Sequence, residues 1–134
     1  MATITIGLMD PPYESANTVT GFRIIDAALR RGHDVNVFLY EGAVALGYAD
    51  QKQHANPVKN KTVEDLDHPN PKDWVAGLFA MARDKDLKLD WVNCGLCVDE
   101  RGVEKQVEGT RRGSPADGWK MAEASQGFLY IATK

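Results

Sequence analysis

The sequence predicts an α/β fold: a three-layer α/β/α sandwich with a mainly parallel sheet of about five strands. Short apolar runs rich in β-branched residues recur along the chain, first at residues 4–9 and 35–40. Stretches with helical apolar spacing separate them, and glycine or proline marks most boundaries. The 134 residues, with no internal repeat, low-complexity tract or linker, fit a single domain spanning residues 1–134.

Residues 4–9 (ITIGLM) read as a buried strand stopped by Asp10, Pro11 and Pro12. Residues 17–31 carry Phe22, Ile25, Ala28 and Leu29 at helical spacing, and Gly32 follows where a helix ends in a left-handed residue. Residues 35–40 (VNVFLY) form a second strand, so the chain opens strand, helix, strand, which implies parallel pairing through a right-handed crossover. Residues 41–48 (EGAVALGY) suit a short helix. Residues 49–67 are polar and aperiodic, an exposed mobile loop suited to a lid or a partner surface. Asn70-Pro71 supplies an N-cap and a first-turn proline for a helix to about Asp84, with Trp74, Leu78 and Met81 on one face and Val75 and Phe79 beside them. Residues 87–93 (LKLDWVN) are a third strand leading into Cys94-Gly95-Leu96-Cys97. Residues 98–107 suit a short helix broken at Gly102, and a further short strand is expected near residues 106–109. Ser114-Pro115-Ala116-Asp117 has the form of a capping box and opens a helix to about Ser125. Gly127 stops it, and residues 128–133 (FLYIAT) are the closing strand. Trp74, Trp91 and Trp119 are expected in the core.

Composition excludes several classes. At 43% apolar and 26% charged, the chain is neither disordered nor fibrous. Sixteen basic against 19 acidic residues leave a net charge of −3, which argues against a nucleic-acid partner, and the doublets Arg30-Arg31 and Arg111-Arg112 read as solvated. No apolar run approaches the ~18 residues of a membrane span, so no membrane partner is expected. No cationic stretch precedes the first strand, as a secretory signal requires, and a cytoplasmic protein is expected. Two cysteines three residues apart close no useful loop, so in a reducing compartment the pair reads as chemical or metal-binding.

In a parallel sheet ligands gather beyond the carboxyl ends of the strands. Loops 10–17, 41–43 and 93–97, joined by 111–114, then share one edge, which predicts Tyr13, Glu14 and Tyr40 within reach of the cysteines. Cys94 stands where a strand gives way to a turn or helix, a position that favours thiolate. A free thiol is only about 3% ionised at pH 7, and lowering its pKa to about 7 yields roughly tenfold more anion. Gly95 leaves room for a second reactant, and Arg101 and Arg111 are the candidates for stabilising an anion. Cys97 either resolves a disulfide or persulfide on Cys94 or only packs on the next turn. Zinc needs about four ligands. One C-x-x-C supplies two, and His54 and His68 stand in the loop region without ligand spacing, so no metal is expected; His33 reads as structural. There is no G-x-x-x-x-G-K-[ST], G-x-G-x-x-G or G-x-S-x-G, so no cofactor is expected. Glu14 and Glu41 as an acid–base pair have no supporting spacing.

The run from Trp91 to Cys97 superficially looks like a thioredoxin active site, but in that fold the pair follows an early strand and precedes a proline-bearing loop. Here only the last third of the chain follows, and its sole proline, Pro115, reads as a first-turn residue. Taken whole, the chain resembles the DsrE/DsrF-like, TusD-type sulfur-relay family. The resemblance rests on ITIGLMDPPYES, ALRRGHDVNVFLYEGAV, a cysteine closing LDWVNC, and the terminal ADGWKMAEASQGFLYIATK. It aligns the family's reactive cysteine with Cys94 and implies a sulfur carrier or sulfurtransferase that holds a sulfane sulfur as a persulfide and relays it to a partner thiol. It also implies other sulfur-carrier proteins as partners and assembly into homotrimers or hexamers. Cys97 and the 49–67 loop depart from the simplest members. The alternatives are a dithiol–disulfide oxidoreductase using Cys94 and Cys97, or a non-catalytic subunit of a sulfur-processing complex.

Overall fold

In the computed structural model, residues 1–65 and 69–133 are described. The strands are β1 (Thr3–Leu8), β2 (Asp34–Leu39), β3 (Leu89–Cys94), β4 (Thr110–Gly113) and β5 (Gly127–Ile131). The helices are α1 (Asn17–Arg30), α2 (Pro71–Asp84), α3 (Gly95–Arg101) and α4 (Pro115–Ala124). The sheet runs β4-β3-β2-β1-β5, with every neighbouring pair parallel.

Period-two alternation divides each strand between two helical layers. Leu8 of β1 packs on Gly21 of α1, close enough that a Cβ on Gly21 would lie 2.5 Å from a Leu8 methyl. Thr5 points the other way, its hydroxyl donating to the Met121 carbonyl of α4 at 3.0 Å. Gly7, on the Thr5 side, lies under the Tyr130 ring with no space for a Cβ. The result is a three-layer sandwich, α1 and α2 over one face and α4 over the other, as the apolar pattern predicts. Its main core surrounds Trp91, fully buried, with Phe22 of α1 and Phe79 of α2 each 6.3 Å away between ring centroids. Burying side chains of this size stabilises the fold by about 1.5–3 kcal/mol each.

Turn chemistry sets the boundaries. Gly32 and Gly102 take the left-handed conformation after α1 and α3. Ser114 and Asp117 form the expected capping box at α4, the Ser114 amide donating to Asp117 Oδ2 at 2.8 Å. Residues 41–48 shorten to a 3-10 turn, Glu41–Ala45. In the loop beyond, Asn56 and Lys61 pair around the 3-10 turn Pro57–Lys59. Gln51 ties that loop to the Ala45 and Leu46 carbonyls and to the Lys72 amide. Asp67 and His68 lie outside the described residues.

Three expectations need correction. The helix read at 98–107 begins at Gly95 and ends at Arg101, which draws Cys97 into its first turn. The short strand near 106–109 is displaced to Thr110–Gly113, because an edge strand carries polar residues and offers no apolar alternation. Trp119 is 67% exposed rather than in the core, since Gly118, against Phe38, and the buried Met121 are what α4 turns toward the sheet. No described helix is long and apolar enough to cross a membrane.

Candidate functional site

Cys94 is the last residue of β3 and the N-cap of α3; Cys97 is the third residue of that helix. N-cap and third-residue side chains face each other across a first turn, the geometry of a capping box. The Cys97 thiol accordingly lies within interaction range of Cys94. Its own sulfur accepts the Glu41 amide at 3.2 Å. Burial, and then the neighbouring Cys94, push the Cys97 thiol up to about 11, against the opposing effect of the Glu41 N–H. The pair is largely covered: 4% of Cys94 and 5% of Cys97 is exposed, where Trp91 and Val92 in the same strand expose nothing.

Glu41 adopts the left-handed conformation, φ 52°, uncommon for a residue with a Cβ. Two bonds hold it there: its amide on Cys97 and its carboxylate, which accepts from Arg101 Nη2 at 3.0 Å. Arg101 Nη1 donates to the Cys97 carbonyl at 3.2 Å, so one guanidinium straps the 41–45 turn to the cysteine helix. Gln106 adds a second strap, donating to the carbonyls of Val44 and Val103 while accepting from Asn93 Nδ2 at 3.2 Å. Asn93 Oδ1 is buried with no partner among the described residues.

Of the two adjacent arginines, Arg112 stands at the cysteines. A Cβ on Gly95, the residue after Cys94, would lie 2.8 Å from Arg112 Nη2. Its fork is bidentate on Asp99 of α3 at 2.8 and 2.9 Å. Arg111, the residue expected there, is instead bidentate on Asp90 at 2.9 and 3.0 Å and faces Asp117 of α4. Consecutive strand residues point to opposite faces, and that alternation separates the two.

Tyr40 directly precedes Glu41, and Tyr130 of β5 is the aromatic residue that sequence reading passed over. The Tyr130 phenol is raised by burial first, then by Tyr40, Cys97, Glu41 and Cys94, which places it among all four. Tyr13 and Glu14 are not brought to the cysteines. Tyr13 is exposed and lines a groove with Tyr48, Gln51 and His54. Glu14 is exposed without an ion-pair partner among the described residues. Their loop is directed elsewhere by Asp10, whose buried carboxylate accepts from Ser15 and from Asn17 Nδ2. His33 Nδ1 accepts the Ala2 amide.

Two grooves run past residues of the site, neither lined by a cysteine. One, of about 670 Å³, runs along Met9, Pro11, Glu41 and Arg101. The other, of about 310 Å³, is apolar and bounded by Phe38, Trp119, Phe128 and Tyr130. Among the described residues no group of three or more His, Cys, Asp or Glu is placed to hold a metal ion. The arrangement is that of a thiol site: two covered cysteines in one turn at a sheet's carboxyl edge, with the Arg112 guanidinium beside Gly95.

Fold and site together define a parallel α/β sandwich with a cysteine pair at the end of its third strand. The DsrE/DsrF-like family model matches residues 3–124. The chain therefore belongs to the DsrE/DsrF-like family, and a sulfur-relay type of role follows in general terms. Among solved structures it is similar to the YchN protein from E. coli, at 18% identity and a TM-score of 0.72, covering 98% of this chain and 100% of that one. That likeness bears on the fold. No curated protein matches the chain.

Proposed function

We propose that this chain is a sulfur carrier of sulfurtransferase type, accepting a sulfane sulfur as a persulfide on Cys94 and relaying it to a thiol of a partner protein. The observation that carries the reading is the placement of Cys94 at the end of β3, in one turn with the Cys97 thiol and near Arg112. An S–H donor and a guanidinium are groups that accommodate negative charge on sulfur. In loading, Cys94 thiolate attacks the outer sulfur of a donor persulfide; the donor leaves as thiolate and Cys94 retains the sulfur. In relay, an acceptor thiolate attacks that outer sulfur and Cys94 departs as thiolate. Both steps are exchange reactions without net oxidation. Such chemistry fits the cytoplasm, where thiols stay reduced.

Other sulfur-carrier proteins are the partners this reading requires. Assembly into a homotrimer or hexamer belongs to the same reading. The edge strand β5 exposes Phe128 and Tyr130 beside Trp119, and Leu129 on its other face, apolar surface of the kind that soluble chains cover by pairing.

The test is intact-mass spectrometry immediately after brief exposure to glutathione persulfide. Wild type and Cys97→Ser are expected to gain one sulfur and Cys94→Ser none. A gain that survives in Cys94→Ser, or is absent from both wild type and Cys97→Ser, overturns the reading.

A further inference from the structure

Cys97 is more elaborately held than a packing residue needs to be. Its sulfur accepts one amide N–H, from Glu41 at 3.2 Å, and Cys94 stands beside it in the same turn. Its carbonyl is fixed by Arg101 at 3.2 Å. Residues three apart in a helical turn have Cα atoms about 5 Å apart. That lies inside the roughly 4.4–6.8 Å that a disulfide spans. The backbone thus holds the two cysteines at a spacing a disulfide can span, and little water reaches them.

Resting on the persulfide reading above, we infer that Cys97 discharges the sulfane sulfur of Cys94 as hydrosulfide, which gives the chain a sulfide-releasing activity besides relay. In this step Cys97 Sγ attacks the inner sulfur of the Cys94 persulfide anion. The Cys94–Cys97 bond forms, the bond between Cys94 Sγ and the outer sulfur breaks, and the outer sulfur leaves with the proton that Cys97 carried. The products are an internal disulfide and HS⁻. Sulfane sulfur is reduced by two electrons and the two cysteine sulfurs are oxidised by two; charge and protons balance. A dithiol reductant, small or protein-borne, resets the pair by ordinary exchange.

Cys97 is protonated at neutral pH, and the proton it gives up as it attacks lets the outer sulfur leave as hydrosulfide, a far better leaving group than a bare sulfide dianion. The charged and titratable groups around it are Cys94 from β3, Glu41 from the 3-10 turn, Tyr130 from β5 and Arg101 from its own helix. The Glu41 N–H steadies negative charge as it develops on the attacking sulfur. Confinement of both sulfurs in one turn supplies the proximity that makes an intramolecular attack outrun any acceptor in dilute solution. Sulfur on Cys94 then has two fates, capture by a docked partner thiol or loss as sulfide.

The experiment loads wild type, Cys97→Ser and Cys97→Ala with glutathione persulfide, removes the donor by gel filtration, and follows intact mass and free sulfide with time. Serine keeps a hydrogen-bond donor at position 97 but forms no disulfide, so it separates chemistry from packing; circular dichroism checks that each variant is folded. Wild type is expected to lose its added sulfur and finish two hydrogens lighter than the reduced chain, with one sulfide released per disulfide and a rate independent of protein concentration. Both variants are expected to retain the sulfur at least about tenfold longer. Equal lifetimes in wild type and Cys97→Ser, with Cys94 loaded in both, overturn the discharge step and leave the carrier reading standing. Failure of Cys94 to load at all overturns both.

Discussion

Helices α3 and α4 begin with the same spacing and opposite chemistry. At α4 the N-cap and third residue are Ser114, exposed, and Asp117, half-buried, and their side chains satisfy the free amides of the first turn. At α3 the same two positions hold Cys94 and Cys97, buried, with no side-chain cap on the helix. The two thiols share that turn instead. A missing cap costs about 1 kcal/mol, and a seven-residue helix has little intrinsic stability to offset it. What holds α3 is tertiary: Arg101 to Glu41, Arg112 to Asp99, and Val98 in the core. One pair of positions starts a helix; the other gives up that role to keep two thiols together.

Alkaline pH sharpens the contrast most. The unfolded Cys97 thiol ionises near its ordinary value of 9.0, the folded one near 11. Between those values only the unfolded chain has lost the proton, so ionisation favours unfolding. Stability is intact below pH 9 and declines toward pH 11, by roughly 1–3 kcal/mol. Tyr13 and Tyr130, both raised, act in the same direction at higher pH, so the comparison is with Cys97→Ala. Urea denaturation between pH 8 and about 11 is expected to show a shallower decline in that variant. Parallel slopes would mean that Cys97 is no more protected than a surface thiol.

Ser114→Ala breaks the other side of the comparison. It removes the Ser114 hydroxyl from the capping box, with an expected loss of about 1 kcal/mol and no change in sulfur loading on Cys94. The carboxylate that accepts the Ser114 amide, Asp117, is held below its usual range chiefly by that bond. Its contribution is present at neutral pH and disappears as pH falls into the acid range. A Ser114→Ala chain that unfolds at the wild-type urea midpoint, or loads sulfur more slowly, would show that the two helix starts are not independent.

Local signals explain which parts of this were legible in sequence. The runs ITIGLM, VNVFLY and FLYIAT, with Gly32, Pro71 and the Ser114–Asp117 box, place most of the sheet and three helices within a residue or two. The start of α3 is not legible, because Cys94 is not a polar N-cap and Gly95 is a poor helix former. Nor is β4, whose Thr-Arg-Arg-Gly looks like loop until an edge of β3 is there to pair it. Cys94 is readable because it closes a strand. Tyr130 is not, since tertiary packing alone brings it there, and for Glu41 and Arg112 topology places only their loops at that edge, not which side chain reaches the cysteines. The neighbouring arginines are the sharpest case: a shift of one residue in strand register exchanges their faces, and nothing in a doublet states the register.

Arg101→Ala tests whether the strap over Cys97 closes anything. The Arg101–Glu41 pair is partly exposed, and such pairs contribute about 0.2–1 kcal/mol, so the change in global stability is expected to be slight. The local consequence is larger in kind. Without Arg101, the left-handed Glu41 keeps only its amide bond to Cys97 against the tendency of its backbone to relax. If the pair's whole contribution appears as local opening, the open population rises by at most about fivefold, and iodoacetamide alkylation of Cys97 in the folded state accelerates by the same factor. Arg101→Lys keeps the charge but loses the fork that holds the Glu41 carboxylate and the Cys97 carbonyl together, and is expected to fall between wild type and alanine. An alkylation rate unmoved by Arg101→Ala would mean that the turn, not the ion pair, covers the cysteine, and that α3 depends on its core contacts and on the Arg112–Asp99 fork alone.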